Sequence, residues 1–210
     1  MISFLNEISL KQNRRDGQGI LARYGPADQN GHMIFRTTLT AAFLCLSLAT
    51  PSSAGFIDGK SAYDRGDYAA ALQEWRTLAK TGNANAQYSL GFLYAEGKGV
   101  RRDYAKAVQW YRKAAEQGVA GAQFNFGTLY AKGLGVEQDY AAGAEWYRKA
   151  AEQGVAEAQY SLGYLYAEGL GVSRDYAAAA DWYRKAAEQG LANAKFNLGL
   201  LYAGGKGVRH

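Results

Sequence analysis

Apolar positions recur along this chain at helical spacing. Between residues 84 and 96, Ala86, Leu90, Leu93 and Tyr94 fall at i, i+4, i+7 and i+8, one face of a helix with 3.6 residues per turn. The periodic run stops at Gly97-Lys98-Gly99. A glycine just past the last periodic residue takes the left-handed conformation that closes a helix. Val100 follows as an apolar plug for the loop. A second helix is predicted from Asp103, whose carboxylate accepts N–H bonds of the first turn and suits the positive end of the helix dipole. It carries Ala107, Trp110, Tyr111, Ala114 and Ala115 toward a core, and Gly118 ends it. Alanines let neighbouring helices approach closely, while Trp and Tyr supply buried area.

This two-helix unit returns every 36 residues: WYRKAAEQG begins at Trp110, Trp146 and Trp182. Residues 82–117, 118–153 and 154–189 align without gaps, and residues 190–210 form a partial fourth copy. The capping aspartate recurs as Asp139 and Asp175, with an earlier relative at Asp67. One helix pair cannot bury both of its faces, but stacked pairs can. The pattern therefore predicts an all-α solenoid of stacked antiparallel helix pairs. Residues 55–81 form a shorter opening hairpin: Tyr63 and Trp75 are 12 apart, against 16 for Tyr94 and Trp110. This hairpin is expected to cap the array.

Residues 33–54 break the pattern. Met33 and Arg36 precede an apolar run from Leu39 to Ala49, then Pro51 and Ser52-Ser53-Ala54. That succession is the three-part layout of a secretory signal peptide, and the apolar run is shorter than the roughly 20 residues a membrane-spanning helix needs. Cleavage between Ala54 and Gly55 is expected, with a periplasmic or secreted product; an uncleaved anchor is the alternative. Residues 1–32 show no hydrophobic period and read either as sequence upstream of the true start or as a disordered leader.

Charge changes the picture little. The chain holds 24 Lys+Arg and 19 Asp+Glu, and residues 55–210 hold 19 and 16 of these. No basic stripe marks a nucleic-acid footprint. The single cysteine, Cys45, lies in the signal, and His210 is the one histidine after residue 54. Cysteine, histidine and zinc chemistry therefore lack residues, and no catalytic, metal or cofactor site is expected. The repeated G-x-G-V follows a helix rather than a strand, so it reads as loop geometry and not as a dinucleotide site. Trp110, Trp146 and Trp182 are expected in the core. Arg112 and Lys113, with their copies, are expected on a solvated face, paired locally with Glu116 and its equivalents.

The pattern A-x-A-x3-L-G-x2-Y-x2-G-x-G-V-x2-D, closing in WYRKAA-x2-G, resembles the Sel-1-like repeat, a relative of the tetratricopeptide repeat. Phe126 departs from it, standing where the other copies have Leu90, Leu162 and Leu198. The resemblance implies a curved right-handed superhelix with the first helices lining a concave groove, and a non-enzymatic adaptor that binds a protein or peptide. The resemblance also offers a hydrolase of the β-lactamase-like cysteine-rich type as an alternative, and the aromatic residues offer a glycan-binding envelope component.

Positions that vary between copies then mark the candidate groove. They are Asn85, Ser89, Phe92 and Glu96 in the first copy, spaced 4, 3 and 4 along one helix face. Their counterparts are Gly121, Asn125, Thr128 and Lys132, then Glu157, Ser161, Tyr164 and Glu168, then Asn193, Asn197, Leu200 and Gly204. Phe92 and Tyr164 are the expected anchors, large rings among polar neighbours. Asn125, Ser161 and Asn197 are the expected polar contacts. Counting 36 from Asp175 gives position 211, one past His210. Leu198, Leu201 and Tyr202 are therefore expected to stay partly uncovered, and self-association through this end is a further expectation.

Overall fold

The structure, a computed structural model, describes residues 51–207. The upstream segment 1–32 and residues 33–50 of the expected export signal lie outside the described residues. Among those described, nine helices follow one another and no strand occurs. The opening hairpin is α1 (Pro51–Asp64) and α2 (Tyr68–Lys80). Three full pairs follow: α3 (Ala84–Glu96) with α4 (Tyr104–Glu116), α5 (Ala120–Lys132) with α6 (Tyr140–Glu152), and α7 (Ala156–Glu168) with α8 (Tyr176–Glu188). Helix α9 (Ala192–Ala203) closes the array. Each helix packs on the one before and the one after, and α3 also touches α5 across α4. The result is the α-solenoid the repeat pattern predicts.

Local chemistry sets the ends. Asp67, Asp103, Asp139 and Asp175 accept from the backbone N–H of Ala70, Lys106, Ala142 and Ala178 at 2.9–3.0 Å. This N–H bond from Lys106, followed by that of its ammonium group, holds the Asp103 carboxyl below the usual carboxylate range. Gly97 closes α3 in the left-handed conformation, φ 70°. Gly99, φ 67°, is needed for a second reason: a Cβ there would stand 2.6 Å from the carbonyl carbon of Tyr68. The G-x-G-V loop is thus where one repeat rests its backbone on the preceding one, and Val100 packs into both adjoining core clusters.

The core is built from alanines and leucines, and each full pair buries the tyrosine of its second helix. Ala107, Ala114, Ala150 and Ala186 are fully enclosed, as are Tyr111, Tyr147 and Tyr183. The tryptophans differ from expectation. Trp75 of the cap is buried, but Trp110, Trp146 and Trp182 are only half-buried. Each lays one face on the core while the lysine one turn later covers the indole: Lys113, Lys149 and Lys185 stand 4.7, 4.0 and 4.1 Å from the ring centroids. These lysines therefore stack on indole instead of pairing with Glu116 and its copies. Among the described residues the ion pairs are Lys60–Asp64, Lys106–Asp103 and Arg184–Asp181.

A glutamine ladder joins the repeats, and polarity alone had concealed it. Gln87 is buried in α3 and donates from Nε2 to the carbonyl of Ala79 at 3.1 Å. Its Oε1 accepts from Gln117 Nε2 at 2.7 Å. Gln123 repeats this with Ala115 and Gln153, and Gln159 with Ala151 and Gln189. Each buried amide is satisfied on both sides, which a buried polar group requires.

Candidate functional site

The expected partner face divides into internally engaged and open positions. Asn85, Glu96, Lys132, Glu157, Glu168 and Asn193 are exposed. Four half-buried polar residues, Asn125, Thr128, Ser161 and Asn197, bond within the chain. Asn125 Nδ2 donates to the Tyr111 hydroxyl at 3.1 Å, and Asn197 Nδ2 to the Tyr183 and Tyr160 hydroxyls at 3.3 Å. The Tyr147 hydroxyl donates to Thr128 Oγ1 at 3.1 Å. Ser161 Oγ donates to the Glu157 carbonyl at 2.7 Å. These side chains meet the phenols of buried tyrosines in the second helices, so part of the variable face serves the core beneath it. Burial pushes the Tyr111 and Tyr147 phenols above their usual range and Tyr183 up to about 12.

The two expected anchors also part company. Phe92 is half-buried, with its ring 6.1 Å from Tyr63 and edge-on to it. Tyr164, in the same register two repeats on, is 44 % exposed. Leu200, one repeat further, is 56 % exposed, and Phe196 one turn before it 67 %. Tyr164, Phe196 and Leu200 therefore concentrate open apolar surface on α7 and α9, with Glu157 and Glu168 at the ends of the α7 stripe.

A second aromatic series lies outside the register of variable positions that marked the candidate groove. Tyr88, Phe124 and Tyr160 lie one turn before Phe92, Thr128 and Tyr164. Their rings stack on Tyr111, Tyr147 and Tyr183 at 5.9, 5.7 and 5.6 Å. Phe196 continues the series without a stacking partner among the described residues. At the array end the expectation needs adjustment: Leu201 is buried against α8, Leu198 is half-buried, and Tyr202 is 42 % exposed.

The opposite helix layer is less inviting. A shallow trough lies over Val108, Arg112 and Glu116 of α4 beside Gly135. Arg148 and Arg184 donate to the Tyr166 and Tyr202 hydroxyls at 3.1 and 2.9 Å. Arg112 instead lies 5.8 Å from the ring of Phe126. Phe126 sits between Tyr130 and Trp146, at 4.9 and 5.2 Å. The Leu-to-Phe departure thus redirects one arginine and leaves the helices in register. Among the described residues no helix is long and apolar enough to cross a membrane.

Comparison with known proteins agrees with this architecture. The Sel1 repeat pattern matches residues 84–119, 120–155, 156–191 and 192–210, the expected period set two residues later. Among curated proteins none matches the chain. Among solved structures, the chain is similar to a protective antigen of uropathogenic Escherichia coli displaying an SLR fold. Identity is 41 % and the TM-score 0.72, over 75 % of this chain and 35 % of that one. It is likewise similar to a Sel1 repeat protein from Oxalobacter formigenes, with 43 % identity and a TM-score of 0.69 over 73 % of this chain and 63 % of that one. The chain thus spans about a third of the first relative and under two thirds of the second. Four tandem matches, in phase with the helix pairs, establish that the chain belongs to the Sel1 repeat family.

Proposed function

We propose that this chain is a non-enzymatic scaffold that holds a protein or peptide against its first-helix layer, around Tyr164 and Leu200. Sel1 repeat proteins are typically protein-interaction scaffolds. The observation that carries the proposal is the unequal occupation of one register. Phe92 and Thr128 are engaged within the chain, whereas Tyr164 and Leu200 stand open on successive first helices. Open aromatic and aliphatic side chains amid polar neighbours are the profile of interface anchors. Glu157 and Glu168 flank Tyr164 on its own helix face, so the fitting partner carries an apolar anchor beside lysine or arginine. Export belongs to the same proposal: residues 33–54 direct it and are cleaved after Ala54. Phe56, Ala62 and Tyr63, the α1 residues packed in or against the first core cluster, follow that bond, so they stay with the cap hairpin after cleavage.

Selection of displayed random peptides on the wild-type chain tests the binding face. An apolar-plus-basic consensus that loses binding to Tyr164→Ala/Leu200→Ala, but keeps it on Asn85→Ala, is the expected result. A consensus indifferent to the double substitution would overturn the assignment. N-terminal sequencing of the mature product tests export: Gly55 is the expected first residue, and a start before Met33 would refute it.

A further inference from the structure

The junction between the cap hairpin and the first full repeat holds a group that the partner face does not use. Lys98, in the loop after α3, donates from Nζ to the Tyr63 hydroxyl oxygen at 2.8 Å. The same nitrogen stands 5.0, 5.1 and 5.4 Å from the ring centroids of Tyr63, Tyr68 and Phe92. These rings come from the end of α1, the first residue of α2 and the middle of α3. They also pack on one another, with Tyr63 5.1 Å from Tyr68 and 6.1 Å from Phe92. Three aromatic rings and a phenol oxygen converge on one ammonium. The ammonium meets Tyr63 at its hydroxyl edge and stands near the rings of Tyr68 and Phe92; aromatic rings and a phenol oxygen gathered around one cation are the chemistry that recognises alkylammonium groups. The bond to Tyr63 also holds the Lys98 ammonium above its ordinary pKa.

Two comparisons inside the chain separate this arrangement from a packing plug. The equivalent positions in the next two repeats are Leu134 and Leu170, which pack into the core clusters there. Leucine therefore closes this loop without any charge. Elsewhere on the helix faces the lysine–ring contacts are one to one, as Lys113 on Trp110 or Lys149 on Trp146, and Lys206 meets Tyr176 alone. At Lys98 alone do three rings share one ammonium among the described residues. The backbone here is pinned, because Gly99 rests on Tyr68. The side chain is half-exposed, so its charged tip is the part free to leave.

We propose that Tyr63, Tyr68 and Phe92 form a cation-recognition site whose resident is Lys98, and that a lysine side chain of a protein partner, plain or N-methylated, enters by displacing it. The site lies two repeats from Tyr164; Phe92 shares that residue's register, but neither Tyr164 nor Leu200 takes part.

Choline and its uncharged isostere 3,3-dimethylbutan-1-ol are the probes, titrated into the full chain. The readout is the indole N–H signal of Trp75, whose ring lies 5.8 Å from Tyr63. Lys98→Ala should bind choline saturably and at least tenfold more tightly than wild type. Lys98→Leu, plugged as in the later repeats, should bind it no better than wild type. The isostere should bind Lys98→Ala at least tenfold more weakly than choline, and adding Phe92→Ala should abolish choline binding. Should Lys98→Ala fail to fold, as judged by far-ultraviolet circular dichroism, Lys98→Ser carries the same comparison. Equal binding of choline and the isostere would reduce the site to an apolar slot and overturn the proposal. So would an opened variant that binds choline no better than wild type.

Discussion

Helices α5 and α9 share the spelling A-x-A-x-F-N-x-G-x-L-Y-A, yet one is enclosed and the other half bare. On the side toward the preceding helix they agree. Leu129 and Leu201 are both buried, and Asn125 and Asn197 both reach a tyrosine hydroxyl of the second helix before them. On the side toward the following helix they diverge. Phe124 stacks on Tyr147, while Phe196 is 67 % exposed. A Cβ on Gly127 would stand 3.0 Å from the Tyr147 ring; one on Gly199 would meet nothing within 4 Å. Near-identical sequence thus has two fates, set by whether a second helix packs against it among the described residues. Burial in this array is a property of neighbouring pairs, and stability should be a sum over them.

The largest test of that contrast is the buried tyrosine. Tyr147→Ala removes a ring enclosed between α5 and α7 and should cost about 3–5 kcal/mol. Trp146→Ala should cost less, because Trp146 is half-buried and Lys149 covers its outer face. Phe196→Ala should stay within about 0.5 kcal/mol. Urea denaturation followed by circular dichroism ranks the three, and equal losses at Tyr147 and Phe196 would break the comparison.

Alkali probes the same buried tyrosines together. The fold favours the neutral phenol of Tyr183 and holds its pKa at about 12, against roughly 10 in an unfolded chain. Its contribution is complete below pH 10 and is lost as pH rises toward 12. One such group loses about 1.4 kcal/mol per pH unit, so about 2–3 kcal/mol across that window. Tyr111 and Tyr147 shift in the same direction. The urea midpoint should be level up to pH 10 and fall steeply above it; a midpoint unchanged to pH 12 would contradict their burial.

A smaller effect reverses sign between the two regions. At Gly163 an added methyl would stand 2.9 Å from the Tyr183 ring and 3.2 Å from the Ala179 carbonyl. Gly163→Ala should therefore cost about 1–3 kcal/mol through overpacking. Gly199 has open space, so Gly199→Ala should gain about 0.5–1 kcal/mol from helix propensity. Thermal melts of the two variants, moving in opposite directions, would sharpen the comparison; shifts of the same sign would dissolve it.

Much of the fold was legible because each signal is spelled three times. The bounds 84–96 and the cap at Asp103 rest on chemistry local to a few residues, and both appear in the structure as expected. Which of Trp110 and Tyr111 is enclosed was not legible. The two are adjacent, both large and apolar, and the choice depends on where the next helix lies. Gln87 was hidden for another reason: its partners are 8 residues back and 30 ahead, so nothing local marks a buried amide. The candidate face was half legible. Register puts Phe92 and Tyr164 on one stripe, but the cap residue Tyr63 and the loop residue Lys98 occupy Phe92 from outside that stripe.

The smallest effect concerns the last rung of the glutamine ladder. Position 195 is the register equivalent of Gln87, Gln123 and Gln159, yet it is an exposed lysine. In the interior, Gln159 donates to the Ala151 carbonyl and accepts from Gln189. Lys195→Gln would restore the first of these bonds, to the carbonyl of Ala187. That carbonyl is placed as Ala151 is, already accepting the N–H of Gly190 as Ala151 accepts that of Gly154. The second bond needs a donor from a following second helix, which α9 does not have among the described residues. One net hydrogen bond at a partly exposed site contributes about 0.5–1 kcal/mol, so the variant should gain about that much and no more. Amide hydrogen exchange in α9 reads the gain where it arises, as slower exchange near Leu198 and Leu201 with the α5 amides unchanged. Slower exchange throughout the array would show that the ends and the interior are not separable neighbour terms.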